Sequence, residues 1–345
     1  MNKHATCKIS RLSERESGVA LVAVLAMLMS VSLLVLSMVI YSHLANYGVR
    51  NDAEILRSRY VAEGAMNRVI WLVAADNYVY NTTDLVNFDY SEYEEDEERF
   101  LPDGRLRELD YYGVTVKYRI ENGMGGISID SNIDTALTQL TRVRAVDEED
   151  MSEALTIFKN RYRDYIDTDD NVNVDGMEHE DYEELDEYTQ LPRNENIYYR
   201  EELWFIPDGI KFFPPDRNGR LTMINPLGMG GNRRSKPDLL QAGYSLLTNY
   251  SNLSHEDAME TLRVIREFKN APAGEIPILG EELDPLLLAN LRNYYTIANS
   301  GCYRITIEKA SAGNTPSVRM DATLFDPGIE TDAEFSIPFY DWLIY

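Results

Sequence analysis

Between Asp167 and Asp181, oxygen-bearing side chains recur at every second position: Asp167, Asp169, Asn171, Asn173 and Asp175, with Glu178 eleven residues after Asp167. Carboxylates and carboxamides at this density suit a hard cation, above all calcium, which takes roughly six to eight oxygen ligands. An EF-hand loop draws its ligands from positions 1, 3, 5, 7, 9 and 12 and turns sharply on a glycine at position 6. Counted from Asp167, position 6 is Val172 and the first glycine is Gly176. The EF-hand shape is therefore disfavoured. Two readings remain open, a calcium loop of another shape and a solvated acidic loop that holds no ion.

Catalytic chemistry finds no comparable constellation. The four histidines, His4, His43, His179 and His255, stand in unrelated contexts with no nucleophile motif beside them. Cys302, next to an expected strand, reads as a small buried core residue. Gly228-Met229-Gly230-Gly231 lacks the Lys-Ser/Thr that would make it a phosphate-binding loop. The expectation is a protein that binds and assembles and is not an enzyme.

Charge narrows the partners. The 345 residues carry a formal net charge of −25, which excludes nucleic acid and anionic surfaces as favoured partners and leaves cations or basic surfaces. Glu201 to Ile210 resembles helix-hairpin-helix DNA-binding units, but its surroundings are acidic and phosphate binding needs cations. Turns that join packed helices are the better reading. Of the two cysteines, Cys7 lies within the first 18 residues and Cys302 far from it. A chain trimmed after Gly18 would have no internal disulfide and would rest on its core, and on metal if any is bound.

The elements that must position these residues begin in lipid. A basic leader with Lys3, Lys8, Arg11 and Arg15 ends in Glu16-Ser17-Gly18, and an apolar run interrupted only by Ser30, Ser32 and Ser37 follows from Val19 to Ile40. At about 1.5 Å per residue such a run crosses a hydrocarbon layer of roughly 30 Å. Removing residues 1–18 also removes Glu14 and Glu16, and leaves the remainder near about −27. A secretory signal has a shorter apolar core and a small-residue cleavage box after it, of which Tyr41 to Asn46 is a poor version. A plain single-span anchor explains the apolar run and the basic flank. A prepilin-type leader explains in addition why Gly18 abuts the run. From Tyr41 to Ala75 there is no proline, and Ile55, Ala62, Met66, Val69, Ile70 and Val73 return at helical spacing opposite a charged face. This predicts one helix of roughly 55 residues, half in lipid and half amphipathic, with two helices kinked near Gly48 as the alternative.

Here a resemblance becomes specific. Ser17-Gly18-Val19-Ala20-Leu21-Val22 before the apolar run, followed by Tyr60-Val61-Ala62-Glu63-Gly64-Ala65-Met66-Asn67-Arg68, resembles the start of type IV pilin-like proteins. More narrowly it resembles the K-type minor pseudopilins of type II secretion systems, the general secretion pathway protein K family. The wider family has glutamate as the fifth mature residue; counted from Val19 this chain has Ala23, and an apolar residue there is a mark of the K type. A carboxylate in a bilayer is kept only with a partner, and in the family that partner is the terminal ammonium of the subunit above. A subunit at the tip has none above it. An ordinary apolar anchor explains the alanine equally well.

Beyond the helix, Asn77 to Glu98 reads as a polar connection whose extreme is the run Glu94 to Glu98. Leu106 to Ile120 reads as strands closed by Asn122-Gly123-Met124-Gly125-Gly126. Near the other end, Tyr303 to Glu308 and Val318 to Leu324 form a hairpin and Phe335 to Tyr345 a last strand. The middle is mainly helical in two similar halves: Ile133–Leu140, Met151–Ile166 and Leu203–Ile206, then Pro237–Leu247, His255–Lys269 and Pro285–Tyr295. Each half is entered from an extended segment, Ile127 to Asn132 and Leu221 to Pro226.

The resemblance implies an α+β chain with a type IV pilin-like fold, a long N-terminal helix on a small antiparallel sheet, carrying a large inserted helical domain. It divides the chain into a leader (1–18), the transmembrane part of the helix (19–40), pilin-like helix and first strands (41–132), the inserted domain (133–299) and the remaining strands (300–345). It extends through Arg163 to Asp170, Glu201 to Pro207 and Tyr294 to Gly301, and departs at Pro207-Asp208-Gly209, where the family has a tighter Pro-Gly turn. It implies cleavage between Gly18 and Val19 by a prepilin peptidase and N-methylation. It also implies an inner-membrane anchor with the ectodomain in the periplasm, and partnership with the I-type and J-type minor pseudopilins, the major pseudopilin and secreted substrate proteins. Ser30, Ser32, Ser37, Ala20, Ala23 and Ala26 would let sister helices approach closely in lipid. The resemblance further implies calcium near the acidic segment, with Asp167, Asp169, Asp175, Glu178 and Asp181 as candidate ligands. A type IV pilus minor pilin and a calcium-binding, membrane-anchored ectodomain unrelated to filaments are the alternatives.

Overall fold

The computed structural model describes residues 6–80, 84–92, 99–128, 137–138, 148–185, 190–216, 219–225, 236–272, 274–310, 317–325 and 339–345. The chain forms two compact units, Met1–Tyr60 with Ser311–Pro316, and Val61–Ala310 with Ser317–Tyr345.

Helix α1 spans Thr6–Tyr80 and passes Gly48 without a break. Its 75 residues correspond to about 110 Å at 1.5 Å per residue. In the first unit every residue from Gly18 to Arg57 is exposed, Gly18, Val19 and Ala23 among them. Two hydroxyls of the apolar run are satisfied within the helix: Ser30 Oγ donates to the Ala26 carbonyl at 2.9 Å and Ser37 Oγ to that of Leu34 at 2.8 Å. That is the arrangement a bilayer demands of polar groups. Among the described residues one helix is long and apolar enough to cross a membrane, the segment of α1 from Gly18.

In the second unit, Ala62, Ala65, Met66, Val69, Ile70 and Val73 of α1 are buried against one face of a five-stranded sheet. The strands are β1 (Asp103–Tyr111), β2 (Val114–Asn122), β3 (Cys302–Lys309), β4 (Val318–Phe325) and β5 (Phe339–Ile344). They lie in the order β1-β2-β3-β4-β5, antiparallel throughout. Period-two alternation puts Val116, Tyr118, Ile120, Tyr303, Ile305, Ile307, Met320, Ala322 and Leu324 on the helix side. Tyr112 and Gly113, with φ of 51° and 76°, make the two-residue turn that suits the twist of the β1–β2 hairpin. Of the last strand expected from Phe335 to Tyr345, β5 covers Phe339–Ile344, and residues 335–338 lie outside the described ones.

β2 and β3 are neighbours in space, with Lys117 opposite Glu308 and Asn122 opposite Tyr303, so everything between them leaves the sheet and returns to the same place. The excursion has two cores. Ile127, Phe158, Tyr165, Tyr182, Leu203, Phe213 and Ile224 belong to the first; Leu239, Leu247, Val264, Phe268, Leu291 and Tyr295 belong to the second. α2 (Glu148–Ile166), α3 (His179–Glu184) and α4 (Gly209–Phe212) serve the first half, and α5 (His255–Asn270), α6 (Leu279–Glu282) and α7 (Pro285–Tyr294) the second. The two entry segments pair in parallel through Ile127 and Ile224. Ile127 N–H donates to the Met223 carbonyl at 2.9 Å and Asn225 N–H to that of Ile127 at 3.0 Å. Asn225 Oδ1 accepts from Gly126 N–H at 2.8 Å, and a Cβ at Gly126 would strike the Met223–Ile224 backbone.

Three sequence expectations change, the first at Pro237–Leu247, which is no continuous helix but a 3₁₀ turn, Leu239–Gln241, followed by a short π segment, Leu246–Tyr250. Residues 77–98 are not simply a solvated connection: α1 runs to Tyr80, and Leu85, Val86 and Phe88 enter the second helical core, anchored by the Leu85 N–H bond to the Ile297 carbonyl at 3.2 Å. Their apolar side chains outweigh the polarity around them. The run Glu94–Glu98 lies outside the described residues. Leu203–Ile206 is not a full helical turn of its own: Leu203 and Trp204 end a 3₁₀ segment, Arg200–Trp204, and Phe205 and Ile206 follow it in a turn. At the departure from the family turn, Asp208 takes a left-handed φ of 68° and its carboxylate meets Arg161 at 3.0 Å.

Candidate metal centre

The site grows from the end of α2. Asp164 occupies the last turn of that helix and is fully buried, and Asp167 follows one helical step later, its N–H still bonded to the Arg163 carbonyl at 2.9 Å. Positions three apart share a helix face, so the two carboxylates point the same way. The loop then folds back over them. Asn160 Nδ2 donates to the Val174 carbonyl at 2.8 Å, and the Asp164 carboxylate accepts from Asn173 N–H at 3.2 Å, from Met177 N–H at 2.8 Å and from Asn173 Nδ2. Asp175, with φ of 57°, and Gly176 form the turn that permits this return. Gly176 lies so close that a Cβ there would overlap Asp164 Oδ2.

The return delivers Glu178, 4% exposed, to the start of α3. One carboxylate oxygen from each of Asp164, Asp167 and Glu178 lies within 4.8 Å of the others. Both oxygens of Glu178 and Oδ1 of Asp167 are buried without a hydrogen-bond partner among the described residues. Desolvation, reinforced by Asp164 and Asp167, pushes the Glu178 carboxyl up to about 7. Desolvation and the charges of Asp169 and Asp164 raise Asp167 as well. Such crowding of like charges out of water is unfavourable unless a cation or protons compensate it.

The donor set fits a hard divalent ion. It consists of carboxylates with unused lone pairs, and the nearby imidazole is occupied elsewhere: His179 Nδ1 meets the Leu191 carbonyl at 3.0 Å and Nε2 meets Glu183 at 3.2 Å. Oxygen without thiolate or imidazole suits calcium or magnesium better than zinc.

Of the residues proposed from sequence, Asp167 and Glu178 come together in this trio. The other three stand outside it. Asp169 is exposed and accepts from Asn171 N–H at 2.9 Å and from its side-chain amide at 2.6 Å. Asp175 is exposed in the turn, and Asp181 accepts from Glu178 N–H at 2.9 Å at the start of α3. Asp164 was missed. Its spacing three residues before Asp167 on a predicted helix was the available signal, hidden because the alternating pattern starts only at Asp167.

No family model matches the chain, and no curated protein matches it. Among solved structures it is similar to a chain in the crystal structure of the GspK-GspI-GspJ complex from the type 2 secretion system of enterotoxigenic Escherichia coli. The likeness has 10% sequence identity and a TM-score of 0.48, over 86% of this chain and 99% of that one.

Proposed function

We propose that this chain is a K-type minor pseudopilin of a type II protein secretion system, placed at the tip of the periplasmic pseudopilus. It is made as a single-span inner-membrane precursor, is cut by a prepilin peptidase between Gly18 and Val19, and is methylated on the new terminus. Its work is assembly initiation and contact with secreted substrate or the outer-membrane channel, and no catalytic step is assigned to it.

The observation that carries this reading is α1 itself. An apolar segment with every residue from Gly18 to Arg57 exposed runs in one helix into Ala62–Val73, which form the core against the sheet. A cleaved secretory signal would not be continuous with the fold's own core helix, and a plain anchor has no need to be. Ala23 fits a subunit with no neighbour above it, since a carboxylate in lipid needs a partner. The I-type and J-type minor pseudopilins would pack along this helix, where Ala20, Ala23, Ala26 and Ser30 permit close approach.

Calcium would be held by Asp164, Asp167 and Glu178. There it supplies charge compensation, which fixes the loop 168–178 to the end of α2.

The test is the N-terminal mass of the protein after co-expression with a prepilin peptidase. A species starting at Val19 and carrying a methyl group is expected. An intact leader, with a control prepilin processed in the same cells, would sink the pseudopilin reading and leave a membrane-anchored ectodomain. Co-purification with I-type and J-type minor pseudopilins separates it from a type IV pilus minor pilin.

A further inference from the structure

The sheet face turned away from α1 is charged, and it floors a cavity of ≈ 770 Å³. β2 contributes Arg119 and Glu121, β3 Arg304 and Thr306, and β4 Arg319 and Asp321, in register as Arg119 opposite Thr306 and Glu121 opposite Arg304. Arg220 stands beside Asp216, and α5 adds Arg266 and Lys269 from the opposite wall. Six cations against three carboxylates leave an excess of three positive charges, in a chain whose total is −25.

Part of that excess is met by Asp341 and Glu308, which stand outside the lining. Arg220 is committed to Asp321 and Asp341, and Arg319 to Asp321 at 3.4 Å and Glu308 at 3.8 Å. Among the described residues the side chains of Arg119, Arg266, Lys269 and Arg304 enter no hydrogen bond or close ion pair; Glu121 and Asp238 act on Arg304 and Lys269 only as nearby charges. Arg304 Nε is sealed from solvent without a partner. Burial holds the Arg304 pKa below its usual value; Glu121 opposes this, and the charges of Arg200 and Arg220 add to it. A desolvated guanidinium with open donors is a site for a carboxylate, which it grips through two parallel bonds.

The shape of the site selects among anions. Its cations are spread over three adjacent strands about 4.8 Å apart and across to α5, too widely for one small ion. The wall beside them is aliphatic: Leu240, Leu246, Leu262 and Ile265. A long polyphosphate would meet Glu121, Asp216 and Asp321 as well as the repulsion of the whole chain. We infer that this cavity receives an acidic peptide segment of another protein, its Asp or Glu side chains on Arg304, Arg119 and Lys269 and its aliphatic side chains against the wall.

The test uses the full chain in detergent and a fluorescent ten-residue peptide of alternating Glu and Leu, followed by anisotropy. Saturable binding is expected, weakened at least tenfold by R304Q and by R119Q, and absent for the Gln/Leu peptide. R266Q, at an exposed α5 position, weakens it too and guards against a folding artefact in the sheet variants. Tripolyphosphate that binds more tightly than the Glu/Leu peptide would overturn the peptide as occupant. No saturable binding, or binding indifferent to all three variants, would overturn the site itself.

Discussion

Gly176 and Asp164 are locked together: the glycine backs directly onto the buried carboxylate, leaving no room for even a methyl group between them. The Asp164 oxygens meanwhile collect the N–H groups of Asn173 and Met177. The contact makes the loop and the carboxylate trio a single object, since moving either moves the other.

The substitution Gly176→Ala is therefore expected to displace Asp164 and to abolish calcium-dependent stabilisation. If the wild-type protein at a calcium concentration of 100 times its Kd gains about 2.7 kcal/mol, the variant gains nothing measurable. Differential scanning fluorimetry with calcium and with chelator reads this directly. An unchanged calcium-induced rise in Tm would disconnect the loop from the ion.

Removing one ligand charge at a time separates the members of the trio from the acidic residues around them. Asp164→Asn, Asp167→Asn and Glu178→Gln should each weaken calcium binding by tenfold or more in titration calorimetry. Asp169→Asn and Asp175→Asn, whose side chains are exposed, should change it only by the loss of long-range attraction, about twofold to threefold at ordinary ionic strength.

Acidity should act with a definite sign. In the metal-free protein Glu178 binds its proton more tightly when folded, at about 7, than unfolded, near the ordinary 4.5. Its contribution to stability is thus fully present below the unfolded value and is lost as pH rises through about 7, a loss on the order of 3 kcal/mol. Burial drives Asp238 up to about 7 as well, giving the same trend elsewhere in the fold. The part that belongs to the site is the part that calcium restores and that Glu178→Gln removes. Chelator-treated wild type whose stability rises between pH 5 and pH 7.5 would contradict both assignments.

How much of this was legible beforehand depended on the range of the interaction. The apolar run, the helical spacing of Ala62, Met66, Val69 and Val73, and the alternation along β2 and β3 are local signals, and each element formed where its period pointed. Asp167 and Glu178 were visible as oxygen donors at close spacing. Asp164 was signalled only by standing one helical step before Asp167, and what makes it a member of the trio is the return of the chain at Gly176, a tertiary event. The burial of Leu85, Val86 and Phe88 was hidden for a similar reason. Three apolar residues in a polar stretch acquire meaning only when a core some two hundred positions later accepts them. The cationic cavity belongs to the same class, since Arg119, Lys269 and Arg304 converge only through β2–β3 pairing and the packing of α5 over β1.

The last prediction concerns the far end of α1. Asp76, near its final turn, holds Arg99 through Nε at 2.7 Å, with side-chain exposures of 5% and 3%, and also accepts from Phe100 N–H at 3.2 Å. The guanidinium lies over the Tyr80 ring at 4.0 Å and near Phe88 at 5.2 Å. This pair therefore fastens the helix end to the segment that leads into β1. Removing one partner from a buried pair strands the other charge, at a cost of about 3–5 kcal/mol. Arg99→Met should accordingly destabilise the protein by that order in urea titration. Asp76→Asn with Arg99→Met should recover a large part of it, because no uncompensated charge is left behind. Equal losses in the single and double variants would mean that the pair acts through packing alone, with Arg99 serving as an apolar stem between Tyr80 and Phe88.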